Sequence, residues 1–128
     1  MINALIVDDE PLARARLKRL LYKHDNIQVV AEAEDGEQAL TIIAERNDVD
    51  VVFLDIEMRQ VSGIDVAERL AKEHLPPAII FTTAYSEYAI RAVNLQAVGY
   101  LLKPIESEAL AEILLQLARV NRIQVKHD

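Results

Sequence analysis

Apolar runs and helical patterns alternate along this chain. Strands are predicted at about 3–7, 27–33, 50–54, 78–82 and 98–102. Four of these runs are almost continuously apolar, as in strands covered on both faces. The second, Ile27-Gln28-Val29-Val30-Ala31-Glu32-Ala33, mixes in polar residues and is expected at a sheet edge. Helices are predicted at about 10–24, 36–46, 63–74, 86–95 and 107–120. In the first, Ala13, Leu17, Leu20 and Leu21 recur at helical spacing behind Pro11, which an opening turn tolerates. In the last, Leu110, Ile113, Leu114 and Leu117 make one stripe. Such regular alternation implies an α/β fold, a parallel sheet joined by right-handed crossovers.

The polar residues that close these runs move the picture from fold to chemistry. Asp8 and Asp9 follow Ala4-Leu5-Ile6-Val7, and Asp55 follows Val51-Val52-Phe53-Leu54. Thr83 lies just past Ala78-Ile79-Ile80-Phe81, and Lys103 follows Tyr100-Leu101-Leu102. In a parallel sheet all of them emerge at the carboxyl edge, where open α/β sheets bind ligands. Like charges about 4 Å apart repel by ~4 kcal/mol at an effective dielectric near 20, so three gathered carboxylates require a cation. Mg²⁺ suits them, because it takes oxygen ligands and bridges carboxylates to phosphate. Asp55, at the tip of the central strand, is then placed to attack phosphorus and form an acyl phosphate. Lys103 would hold one phosphoryl oxygen and Thr83 would donate to another. Taken singly, each residue has a plainer reading. The Asp pair and Asp55 suit caps or turns, Lys103 a solvated surface, and Thr83 the close of a turn. Their joint placement favours the site.

Composition narrows the classes. With 14 basic and 21 acidic side chains the net charge is −7, which argues against nucleic-acid binding by this segment itself. The absence of cysteine excludes a disulfide framework and a thiolate metal site. No apolar stretch approaches the ~20 residues that cross a bilayer. The opening Met1-Ile2-Asn3 lacks the basic flank of a signal core, so a cytoplasmic location is expected. His24, His74 and His127 have no metal-ligand spacing. The polar tail from Arg119 to Asp128, with Arg122 and Lys126, reads as a helix end running into a linker.

With these residues in place, the chain resembles the response-regulator receiver domain of bacterial two-component systems. The resemblance runs from Leu5-Ile6-Val7-Asp8-Asp9-Glu10 to Lys103-Pro104. It implies a flavodoxin-like, doubly wound five-stranded parallel sheet, order 2-1-3-4-5, with helices on both faces. It also implies that Asp55 accepts a phosphoryl group from a sensor histidine kinase or a small donor. Asp8, Asp9, Asp55 and the backbone carbonyl of Glu57 would hold Mg²⁺. Thr83 corresponds to the switch hydroxyl, Tyr100 to the switch aromatic and Lys103 to the phosphate-binding lysine, with a cis peptide between Lys103 and Pro104. Such a domain is no enzyme beyond self-phosphorylation and slow autodephosphorylation, and it switches a face made by its fourth helix, fifth strand and fifth helix. Read from the residue alone, Tyr100 is equally a plain sheet-edge aromatic.

Three strings are similar to receivers that precede a LytTR-type DNA-binding domain: Asp8-Asp9-Glu10-Pro11-Leu12-Ala13-Arg14, Phe81-Thr82-Thr83-Ala84-Tyr85 and Tyr100-Leu101-Leu102-Lys103-Pro104-Ile105. On that resemblance residues 1–118 are the receiver. Residues 119–128 begin a linker to a transcriptional output domain, the only part that would touch DNA. Two departures stand beside the acceptor: Arg59 where the family usually has proline, and Ser62-Gly63 where Asp-Gly is common. The Glu57 side chain is expected near the site entrance, either influencing the attacking water or simply solvated. Ala111, Leu115 and Ala118 fall off the core stripe of the last helix, as Ile90 falls away from Tyr88, Ala92 and Leu95 in the fourth. That pattern suits either a homodimer surface or a broad buried stripe. Rival readings are weaker. A flavodoxin-like cofactor binder would want a glycine- and hydroxyl-rich loop where Asp8-Asp9-Glu10 stands. An aspartyl-phosphate hydrolase would want a second Asp where Glu57 stands.

Overall fold

The computed structural model describes the backbone of residues 1–88 and 97–127 and the side chains of residues 1–87 and 97–120. Five strands form one parallel sheet: β1 (Ile2–Val7), β2 (Ile27–Ala33), β3 (Val51–Asp55), β4 (Ala78–Thr83) and β5 (Gly99–Leu102). Their order is β2-β1-β3-β4-β5, as predicted. The described helices are α1 (Pro11–Tyr22), α2 (Gly36–Glu45), α3 (Gly63–Leu70) and α4 (Ser107–His127). Of the helix predicted at 86–95, a single 3₁₀ turn, Ser86–Tyr88, is described, and the remainder lies outside the described residues.

Alternation along the strands sends side chains to two separate cores. On one face Ile6, Phe53, Ile80 and Leu101 pack with Leu17 and Leu21 of α1 and Leu110, Leu114 and Leu117 of α4. On the other, Leu5, Val7, Val52, Leu54 and Phe81 meet Ala39 of α2 and Val66, Ala67 and Leu70 of α3. Burying each Leu or Phe contributes roughly 1.5–3 kcal/mol, so the central strand is held from both sides. All of Val51–Asp55 is buried, whereas edge strand β2 is mostly half-buried, as its polar residues require.

Local chemistry sets the helix ends. Asp35 caps α2 by accepting from the Gln38 N–H at 2.8 Å. The Ser62 hydroxyl caps α3, accepting from the Ile64 and Asp65 amides at 3.1 and 3.4 Å. Two predicted boundaries move. α3 ends at Leu70 rather than 74, because the Lys72 and Glu73 amides bond three residues back, to Arg69 and Leu70, and tighten the chain out of the helix. α4 continues past 120 to His127, since no glycine or proline follows Pro104 to stop it.

Gly63 ties α3 to the strand that carries Asp55. Its N–H donates to the Ile56 carbonyl at 3.0 Å. A Cβ there would strike the Asp55 carbonyl, lying 2.9 Å from its carbon. At Gly36 an added Cβ meets a side-chain methyl of buried Val66 at 2.7 Å, and no backbone atom stands as near. Gly63→Ala is therefore expected to destabilise by about 2–4 kcal/mol and Gly36→Ala by less, read as a lower urea midpoint at unchanged slope.

Candidate functional site

Strand register assembles the acidic edge. Val7 pairs with Leu54, so Asp8 leaves β1 beside Asp55 at the end of β3. Asp55 pairs with Thr82 on β4, and the Lys103 N–H donates to the Thr83 carbonyl at 2.8 Å. Asp8, Asp9, Asp55, Thr83 and Lys103 thus share one end of the sheet. The Lys103–Pro104 peptide is cis, as the resemblance implied.

Asp8 is fixed through its backbone as well as its side chain. Its N–H donates to the Ala33 carbonyl at 3.1 Å, and its own carbonyl accepts from the Arg14 guanidinium at 2.6 Å. Arg14 also pairs with Glu32 at 3.2 Å, so α1, β1 and β2 are laced together beneath the site. Of the plainer reading of the Asp pair, the helix cap does not hold, whereas the turn does for Asp8. Glu10 occupies the cap position of α1 without a side-chain bond, and the Asp8 Oδ1 accepts from the Glu10 amide at 2.9 Å.

Charge is concentrated and unbalanced here. Asp8 and Asp55 are 4% and 1% exposed. One ammonium serves both: Lys103 Nζ lies 2.9 Å from Asp8 Oδ2 and 3.3 Å from Asp55 Oδ1. Asp9 adds a third carboxylate, with exposed Arg59 at 3.8 Å. Carboxylate oxygens of Asp8, Asp9 and Asp55 all fall within 4.8 Å of one another. A close set of hard oxygens carrying excess negative charge fits a small divalent cation such as Mg²⁺. Burial, then the neighbouring Asp8 charge, pushes the Asp55 carboxyl up to about 7, with Lys103 pulling the other way. Burial works against the Lys103 ammonium, but bonding to Asp8 and attraction to Asp55 outweigh it and hold its pKa above the ordinary lysine value.

Glu57 is not simply a solvated loop carboxylate. The Thr83 hydroxyl donates to its Oε2 at 2.6 Å and the Ala84 N–H to its Oε1 at 3.1 Å. Its own amide donates to Asp55 Oδ1 at 3.3 Å. The departures from the family pattern lie close by: Arg59 faces Asp9, and Gln60 takes a left-handed φ of 66°. Tyr100 is half-buried on the α2/α3 face of β5. Phe81 is its register partner, and Thr83 lies two positions further along the same face of β4. Two contributors carried no recognised signal in the sequence. Arg14 acts on a backbone carbonyl, which no side-chain spacing marks, and the Ala84 amide has no side-chain signature.

Residues 4–115 match the model of the family described as response regulator receiver domain. The chain belongs to that family. This receiver is 50% identical over 125 residues to the positive alginate biosynthesis regulatory protein of Pseudomonas aeruginosa, covering 97% of the chain and 50% of that protein. It is 40% identical over 122 residues to the sensory transduction protein LytT of Bacillus subtilis, covering 95% and 50%. Among solved structures it is similar to the response regulator protein TrrA of Thermotoga maritima in complex with Mg²⁺-BeF, at 37% identity and a TM-score of 0.80, covering 91% of this chain and 99% of that one. The receiver spans about half the length of the curated relatives it matches. No helix among the described residues is long and apolar enough to cross a membrane.

The raised Asp55 pKa makes its ionisation a cost to the fold. A group whose folded pKa lies above its unfolded value contributes stability that is intact below the unfolded value, near 3.8, and lost as pH climbs through about 7. Asp55→Asn removes that charge. The metal-free variant is expected to gain on wild type between about pH 4 and about pH 7 and to level off above, by about 4 kcal/mol in total, in paired thermal melts.

Proposed function

We propose that this receiver takes a phosphoryl group onto Asp55 from a sensor histidine kinase in the cytoplasm and passes the event to an attached output domain. The observation that carries the reading is the placement of a buried Asp55 carboxylate 3.3 Å from Lys103 Nζ, beside Asp8 and Asp9. Asp55 Oδ1 accepts from Lys103 and the Glu57 amide, so we assign the attack to Oδ2. That oxygen bonds to phosphorus while the phosphorus–nitrogen bond of the donor histidine breaks, and the imidazole leaves with the electron pair. Asp8, Asp9, Asp55 and the Glu57 carbonyl would hold Mg²⁺, which draws off charge from the transferring group when bound. Lys103 neutralises one phosphoryl oxygen, and Thr83 donates to another.

The switch in this reading is Thr83 following the new oxygens while Tyr100, behind it on the same face, turns inward. Output is read on the helix predicted at 86–95, β5 and α4. Leu102 and Leu115, 43% and 64% exposed, support a contact surface there, including a homodimer. Residues 119–128 are assigned to the start of a linker. A LytTR-type DNA-binding output is supported by the similarity to LytT and to the alginate regulator. The domain acts as a signalling phosphoacceptor, not as an enzyme with turnover on other substrates.

Incubation with Mg²⁺ and acetyl phosphate is expected to add one phosphoryl group by intact mass, absent in Asp55→Asn and strongly reduced in Lys103→Ala. A gain that survives Asp55→Asn, or no gain with any donor, would end the proposal. Mg²⁺ alone at a hundred times its Kd is expected to stabilise the fold by about 2.7 kcal/mol, an increment lost in Asp9→Asn.

A further inference from the structure

We infer that the Glu57 side chain is an internal stand-in for the phosphoryl group, holding in the unmodified protein the donors that the acyl phosphate must recruit. The inference rests on Asp55 being the acceptor. Thr83 and Ala84 donate to the two oxygens of one carboxylate, at 2.6 and 3.1 Å. The Tyr85 amide donates in turn to the Thr83 oxygen at 3.0 Å, so the turn after β4 is organised around Glu57. A carboxylate and a phosphoryl group both offer anionic oxygens spread from one central atom, and a pair of donors that grips the first also grips the second.

Position makes the two mutually exclusive. Glu57 stands two residues past Asp55, and its amide is bonded to the Asp55 carboxylate at 3.3 Å. No Lys or Arg pairs with its side chain among the described residues, so its polar partners there are the very groups on the β4 turn. Once Asp55 carries a dianion, like-charge repulsion and competition for the same donors act together to expel Glu57. Thr83 and Ala84 are then released to the phosphoryl oxygens. The clasp therefore sets a threshold: it stabilises the resting turn and weakens the modified state by the same amount.

The test uses Mg²⁺-beryllofluoride, a phosphoryl mimic, titrated into the whole chain with the Ala84 amide followed by NMR. Glu57→Ala keeps the backbone carbonyl and is expected to tighten beryllofluoride binding about tenfold, with Glu57→Gln in between. In the free protein the Ala84 amide resonance moves in Glu57→Ala, while in the beryllofluoride-bound proteins it coincides with wild type. On a Thr83→Ala background the gain from Glu57→Ala falls to about threefold, because the Ala84 donor alone remains to be released. Binding in Glu57→Ala equal to or weaker than wild type, with the variant folded by thermal melt, overturns the clasp and leaves the acceptor reading standing. A folded wild type that takes no beryllofluoride sinks both.

Discussion

Two carboxylates are forced side by side out of water, and a single ammonium stands between them. Every other feature of the site is arranged around that imbalance. Asp8 and Asp55 are delivered by adjacent central strands whose register is set by two hydrophobic cores, so neither is able to withdraw into solvent. Lys103 reaches both from the far side of β4, which requires β5 to end level with its neighbours. The residual negative charge makes the strand tips receptive to a divalent cation. Burial and this charge together keep the Asp55 carboxyl protonated up to about pH 7, where an ordinary carboxylate is already ionised, so a cation that draws off charge is what frees its oxygens.

The fold was legible because its signal is repeated. Continuously apolar strands separated by amphipathic helices leave few topologies, and the polar content of Ile27–Ala33 assigned the edge. The position of the acidic site followed from the same pattern, since a residue at the end of a parallel strand has one edge to go to. Helix ends were less legible. The tightened turn after Leu70 and the run of α4 to His127 depend on single hydrogen bonds and on an absence of breakers, which periodicity does not record.

Individual contacts within the site were hidden for a different reason. Arg14 acts on the backbone carbonyl of Asp8, and Ala84 contributes an amide, so side-chain identity says little about either role. Glu57 was visible as a carboxylate beside the entrance, but its partners come from another strand that folding brings close. Of the departures beside Asp55, Arg59 faces Asp9 and Ser62 caps α3, while Gly63, which the family pattern shares, admits the Asp55 carbonyl.

Complete burial of β3 between two strands and two helical layers leaves its terminal residue a single open direction, along the strand axis. On the proposed phosphoacceptor role, a donor arrives along that axis, past the loops that follow β1 and β3. Under the proposed role, a donor protein has to present its phosphoryl group on a part slim enough to pass between those loops.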